Sequence, residues 1–269
     1  MDMKPFENCR VAVCFSGQSR TFRYCAESIK NFFSSRKNNT FTFFGHTTNK
    51  NYYKNVTLNP DGTAKSDVRT FETLDIARLT DELQSTIGFA KLQVEEEIPR
   101  TVNWGVQLYS QMKSNYLKQQ YEVEHNMMFD LVIRTRFDQV YPHTSIFEDN
   151  VNFLIEEKTL YSHFGLHRSE YILPNPSQCF HFGSSLTLDL VDSFYNVLIT
   201  GNFNKLVGVN AYNPGWTNVG DGAMIHKWCN YKNIHLKECA VPHAIIRKHS
   251  LKLDYRTEWQ SVVNAMWWR

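Results

Sequence analysis

The signatures of several familiar chemistries are missing from this chain. Among its 269 residues no run approaches about 18 apolar residues, so no transmembrane helix is expected. The opening Met1-Asp2-Met3-Lys4-Pro5-Phe6 lacks the apolar core of a signal peptide. The six cysteines, at 9, 14, 25, 179, 229 and 239, form no CxxC pair. That removes the usual zinc-ribbon and redox spacings, and the expectation is reduced thiols in a cytoplasmic protein. No HExxH supports a zinc hydrolase and no GxSxG supports a serine hydrolase. Neither GxGxxG nor GxxxxGK[ST] occurs, so a dinucleotide fingerprint and a P-loop are both unsupported. A net charge of only +2 does not demand a nucleic-acid partner. There is no internal repeat and no low-complexity linker.

What is present is a chain rich enough in apolar residues, at 42%, to fill one large core. Aromatics reach 14% and serve cores, but they also line sugar and base sites. The sequon Asn55-Val56-Thr57 reads as accidental without a secretory signal. Arg10 to Phe15 predicts a first strand, Ser16-Gly17-Gln18 a turn, and Thr21 to Phe33 a helix with apolar residues at helical spacing. Thr40 to Phe44 predicts the second strand, running into Gly45-His46-Thr47-Thr48. Residues 49–67 are polar around Pro60-Asp61-Gly62 and read as a loop insertion. Leu74 to Ile87 predicts a helix ended by Gly88, and Ala90 to Val94 a strand. Glu95-Glu96-Glu97 reads as a solvated acidic loop. Asn103 can cap a long helix whose stripe Trp104, Leu108, Met112, Tyr116, joined by Leu117 and Tyr121, reads as core. Leu131 to Arg136 is a strand; 159–162 and 178–182 are further strands. Helices follow at 186–198 and 221–231, and a last strand at 234–239. The alternation predicts a single α/β domain over 1–269: a Rossmann-like, mainly parallel sheet flanked by helices, with a mixed second half.

Three constellations carry candidate chemistry. In Ser16-Gly17-Gln18-Ser19-Arg20-Thr21, the glycine lets backbone approach a ligand, the helix start offers N–H groups, and Arg20 can pair with phosphate. The alternative is an ordinary strand-to-helix turn. In Arg134-Thr135-Arg136-Phe137-Asp138, an apolar strand ends in two arginines and a carboxylate at the edge where α/β sheets bind ligands. Arg134 and Arg136 can neutralise phosphate, and Asp138 can hold a divalent cation. The alternative is a buried Arg–Asp pair. In Gly220-Asp221-Gly222, Asp221 stands at a helix entrance, as a cap or as a general base. Of the ten histidines, His243 and His249 lie late enough for the fold to return them to the sheet edge.

These residues resemble a family of glycosyltransferase-like proteins of viruses and bacteria. Val11-Ala12-Val13-Cys14-Phe15-Ser16-Gly17-Gln18-Ser19-Arg20-Thr21-Phe22 is similar to its opening. Phe129-Asp130-Leu131-Val132-Ile133-Arg134-Thr135-Arg136-Phe137-Asp138 is similar to its central signature, and Phe180-His181-Phe182-Gly183-Ser184-Ser185 to a later one. The resemblance implies a GT-A-like fold that binds a nucleotide-sugar. It implies an Asp-x-Asp motif holding Mn2+ or Mg2+ on the donor diphosphate; here Arg136 stands at the first acid and Asp138 at the second. The expected cation ligands are therefore Asp138 and His243, with Arg134 and Arg136 as the other source of positive charge. The expected donor-binding set is Ser16, Gly17, Gln18, Arg20, Thr21, Arg134 and Arg136, and Asp221 is the expected base. The expected acceptor is a glycan hydroxyl or a hydroxymethylated base in DNA, with Lys30 to Lys37 and Arg247 to Lys252 available for phosphates. A non-catalytic nucleotide- or sugar-binding module on the same fold is the competing expectation.

Overall fold

The residues of strand β2 (Arg10–Ser16) explain the architecture. Val11, Val13 and Phe15 enter one hydrophobic cluster, Ala12 and Cys14 another, and all five are buried. A strand apolar on both faces must be covered on both faces, as in sheets whose crossovers are helices. The computed structural model describes residues 4–5, 8–34, 38–58, 64–96, 105–141, 154–164, 176–200, 221–238 and 244–245.

In chain order these form a short strand β1 (Lys4–Pro5), β2, helix α1 (Phe22–Ser34), β3 (Thr40–Thr48), β4 (Lys50–Leu58), β5 (Ala64–Thr73), α2 (Ile76–Ile87), β6 (Lys91–Glu95), α3 (Gly105–Glu124) and β7 (Leu131–Arg136). Then come β8 (Gln139–Val140), β9 (Leu154–Ile155), β10 (Thr159–Phe164), β11 (Pro176–Gly183), α4 (Ser185–Ile199), α5 (Asp221–Tyr231), β12 (His235–Glu238) and β13 (Ala244–Ile245). The main sheet has the order β12-β10-β11-β7-β2-β3-β6. Its pairings are parallel except those of β11, which runs against β7 and β10. The chain is thus α/β, mainly parallel, with the irregularity in its second half, as the element pattern predicts.

One face of the sheet packs on α1 and α2 through Phe22, Ile29, Phe33, Leu79 and Leu83. The other packs on α3, α4 and α5 through Leu108, Leu188, Phe194 and Trp228. Asp75 caps α2 by accepting from the Arg78 N–H at 2.8 Å. Gly88, at φ 75°, ends α2 in the left-handed region that glycine tolerates.

Three expectations need correction. Residues 50–58 and 64–67 are strand rather than loop: β4 and β5 pair antiparallel from Lys50↔Thr73 to Leu58↔Ala64. Tyr52, Tyr53, Val56, Val68 and Phe71 are residue types that favour strands, and they outweigh the polar composition. β3 runs on past Phe44 to Thr48, because β6 pairs with it from Phe44↔Lys91 to Thr48↔Glu95. A Cβ at Gly45 would meet Leu92 Cδ1 at 2.8 Å and Phe89 Cε1 at 2.9 Å, so the glycine is a packing requirement inside a strand.

The third correction is α3. Leu108 and Leu117 are buried and Met112 and Tyr121 pack against the core, as the stripe predicts, but Tyr116 is 51% exposed. Asn103 and Trp104 lie outside the described residues. The face of α3 turned inward is largely polar: Ser110, Gln111, Ser114, Asn115 and Lys118 are all buried. Lys118, wholly inaccessible, lies 2.8 Å from Asp189 Oδ1 on α4 and 3.0 Å from Glu122 Oε2. Ser185 donates to Glu122 Oε1 at 2.8 Å and Asn115 to Asp189 at 2.8 Å. Helices α3 and α4 are therefore joined by a paired, hydrogen-bonded ionic cluster. Lys118→Ala leaves two carboxylates without their cation and is expected to cost roughly 3–5 kcal/mol by urea denaturation. A loss below about 1 kcal/mol would mean that the cluster relaxes without its lysine.

Candidate functional site

Counting only the parallel strands that open the sheet, the order β6-β3-β2-β7 is 3-2-1-4, and the winding reverses between β2 and β7. Ligands of open α/β sheets bind outside the carboxyl ends of the strands at such a reversal. Here Ser16, the last residue of β2, pairs with Arg136, the last residue of β7. The two motifs, 120 residues apart in sequence, leave the sheet side by side.

Asp138 sits at the centre of this edge and is wholly buried. Arg136 donates to it twice, from Nε to Oδ1 at 2.7 Å and from Nη2 to Oδ2 at 2.8 Å. Arg20, from the turn before α1, donates to Oδ2 at 3.0 Å. Burial raises the carboxyl pKa, but the charges and hydrogen bonds of Arg136 and Arg20 outweigh it and hold the group below the ordinary carboxylate range. Two guanidiniums thus converge on one carboxylate. Both arginines keep about a sixth of their side chains exposed, so guanidinium surface is present at the rim.

A second chain of polar contacts runs along the same edge, supplied by α3. Gln107 accepts from Arg136 Nη1 at 3.2 Å and donates to Ser16 Oγ at 3.3 Å. Ser110 Oγ accepts the Gly17 N–H at 2.9 Å, donates to the His46 carbonyl at 2.9 Å, and lies 2.9 Å from His46 Nδ1. His46 Nε2 is 3.5 Å from Glu95 Oε1 at the end of β6. Glu95 also accepts from Tyr109 Oη and from Gln93 Nε2 and lies 3.4 Å from Lys113 Nζ. It is a fixed acid of the network, not a solvated one; Glu96 is exposed, and Glu97 lies outside the described residues.

The expected donor-binding residues divide. Arg20 and Arg136 meet at the edge with Gly17 and Gln18, which are half-buried. Gln18 Oε1 is a buried atom with no hydrogen-bond partner among the described residues. Ser16 and Thr21 are fully buried, and the Thr21 hydroxyl is bonded to the Cys25 thiol. Gly17 has φ 99°, but what approaches it is Gln107 Oε1, 3.0 Å from the position of a Cβ. Its N–H is bonded to Ser110, so the expected backbone cradle is occupied by the protein itself.

Arg134 is not at the edge. It is 2% exposed, ion-paired with Asp192 of α4, and donates from Nη1 to His181 Nε2 at 2.8 Å. Burial pushes its pKa down to about 10, still far above neutrality, so it is a cation that the interior must neutralise. Strand alternation places Arg134 and Arg136 on one side of β7, but only Arg136 reaches the strand's end. Asp221 opens α5. Its side chain, like all of His243, lies outside what is described.

A divalent cation at Asp138 would need an open carboxylate oxygen. Both oxygens are held by guanidinium groups in a side chain with no exposure, and no three His, Cys, Asp or Glu side chains gather to hold an ion among the described residues. This donor set does not fit a hard cation. The buried thiols of Cys14, Cys25 and Cys229 are pushed up to about 12 by burial and are no nucleophiles at neutral pH.

A family model described as "Domain of unknown function (DUF7796)" matches residues 6–162, more than half of the chain. The chain belongs to that family. A search of curated proteins found no match. The DUF7796 match spans the whole edge network, from Ser16 and Arg20 through His46, Glu95 and Ser110 to Asp138. Asp221 and His243 fall beyond it.

Sequence reading missed Gln107, Ser110, His46 and Glu95 as site-building residues. One signal was available: polar residues 107, 111, 114 and 118 recur on α3 at the helical spacing that ordinarily marks an apolar face. Burial also sets a pH dependence. It pushes the His46 pKa down to about 4 despite the attraction of Glu95, so the ring is neutral when folded. An unfolded histidine titrates near 6.5, so the unfolded chain binds the extra proton between about pH 6.5 and 4. The His46 contribution is therefore whole above pH 6.5 and is lost as pH falls toward 4, by up to about 3 kcal/mol. Urea denaturation of the native protein and His46→Gln across this window should show a steeper acid loss in the native protein. Parallel curves would contradict the assignment.

Proposed function

We propose that the chain is a glycosyltransferase that takes a sugar from a nucleotide-sugar donor and passes it to an acceptor hydroxyl, on a GT-A-like version of this sheet. The observation that carries the reading is the meeting of Arg20 and Arg136 around Asp138 at the reversal point of the sheet. A diphosphate is the ligand chemistry that a rigid pair of guanidiniums suits, since each presents planar donors to phosphate oxygens.

In the transfer, the bond from the anomeric carbon to the phosphate oxygen breaks and a bond to the acceptor oxygen forms. The leaving diphosphate gains negative charge as this happens. Arg20 and Arg136 stabilise it, and because Asp138 and Gln107 already hold Arg136, little reorganisation is needed at that moment. The acceptor hydroxyl gives its proton to a carboxylate, for which we propose Asp221 at the entrance of α5. No step here is routed through a metal.

The reading is tested by incubating the protein with a panel of nucleotide-sugars and measuring free nucleoside diphosphate, with and without acceptor sugars. Release of diphosphate is expected for at least one donor. Arg136→Gln should lower kcat/KM by about 10- to 100-fold, the worth of charge-assisted hydrogen bonds at roughly 1.5–3 kcal/mol. Asp221→Asn should abolish acceptor-dependent turnover while donor binding persists. Diphosphate binding with no turnover of any donor would instead identify a binding module.

A further inference from the structure

A cavity of about 270 Å³ lies where the start of α1, the base of the β4–β5 ribbon and the first turns of α2 meet. It adjoins the strand-edge site and shares Arg20 with it, but its other walls belong to elements the edge site does not use.

Two residues that line it, Ser19 and Asn51, are 6% and 1% exposed, and each carries a buried polar atom, Ser19 Oγ and Asn51 Oδ1, with no hydrogen-bond partner among the described residues. Buried polar groups are almost always bonded, so each of these residues has a hydrogen bond left to offer beside the cavity. Water can take it up, and a ligand hydroxyl reproduces the same bonds while displacing it.

Charge narrows the class of ligand. Arg20, Arg23 and Arg78 line the cavity together with Glu72, Asp75 and Glu82. The wall as a whole has no net charge, and Arg20 and Asp75 are already engaged, by Asp138 and by the Arg78 N–H. A free phosphate or a cation would gain from half of these groups and be repelled by the other half. A hydroxyl gains from both kinds, since carboxylates accept from it and guanidiniums donate to it. Leu74 and Leu79 add an apolar strip against which ring C–H groups can rest. The volume lies below that of pockets for drug-sized ligands, which suits a single ring.

We propose that this cavity is a binding site for a neutral, polyhydroxylated ring, a single sugar residue. The site does not depend on the nucleotide-sugar reading: a sugar binds here whether or not a diphosphate binds at the strand edge.

Saturation-transfer NMR of the full chain with neutral aldohexoses, N-acetylhexosamines and pentoses tests it, with inorganic phosphate followed in parallel by phosphorus line width. At least one neutral sugar is expected to bind with millimolar affinity. The double variant Arg78→Gln/Glu82→Gln changes two exposed residues outside the strand-edge site. It should weaken that sugar tenfold or more while leaving the thermal midpoint and the binding of nucleoside diphosphates unchanged. The proposal is overturned if no sugar in the panel binds, if the double variant binds it equally well, or if phosphate binds and the sugars do not.

Discussion

A single buried carboxylate holds the functional edge of this protein together. Two guanidiniums at the ends of neighbouring structural units would repel one another. Asp138, inaccessible to water and bonded to both, turns that repulsion into a clamp between the end of β7 and the turn before α1. The clamp explains why the carboxyl stays ionised although burial opposes it. It also explains why a cation is not needed to organise the site: the oxygens that would bind one already have partners. Both arginines keep part of their side chains at the rim, where an anionic ligand can meet them.

Around that clamp the interior is unusually polar on one side. Helix α3 buries two serines, Gln111, Asn115 and Lys118 beside Leu108 and Leu117, and α4 meets α3 through Asp189 and β7 through Asp192. Arg134 and Lys118 are buried cations, each with carboxylate partners. Such groups contribute little net stability compared with apolar packing, but removing one partner is costly. Their effect is to fix α3 in one register, which places Gln107 against Arg136 and Ser110 against Gly17. The opposite face is ordinary by comparison, a cluster of phenylalanines in which Phe15 packs against Phe33, Phe89 and Phe137. Precision at the site comes from the polar side, and bulk stability from the aromatic side.

Much of this was legible in the chain. Strand β2, helix α1 and the charged end of β7 announce themselves by period and by abrupt changes of polarity, and their boundaries fall within a residue or two. The juxtaposition of Arg20, Arg136 and Asp138 follows from a parallel sheet with both turns on one edge. Other features were hidden for physical reasons. Arg134 and Arg136 look equivalent in sequence, but two residues of strand rise put one inside the core and the other at its rim. The α3 stripe is half the story, because helix patterning assumes that the inward face is wholly apolar, and here buried polar and charged groups share it with Leu108 and Leu117. The β4–β5 pair was masked by lysines and asparagines, which an isolated two-stranded ribbon tolerates. Gly17 looked like a ligand-binding glycine, and its conformation is indeed special, but its N–H serves Ser110.

The central claim is that paired arginines, rather than a metal, receive a diphosphate at the strand edge. Thermal unfolding with nucleoside diphosphates, run in EDTA and again in Mn2+, tests it most directly. A ligand at a hundredfold excess over its Kd adds about 2.7 kcal/mol of stability, enough to move the midpoint measurably. At least one diphosphate should raise the midpoint by the same amount in EDTA and in Mn2+, and Arg136→Gln should remove the shift. A shift that needs Mn2+, or no shift with any diphosphate, would contradict the account.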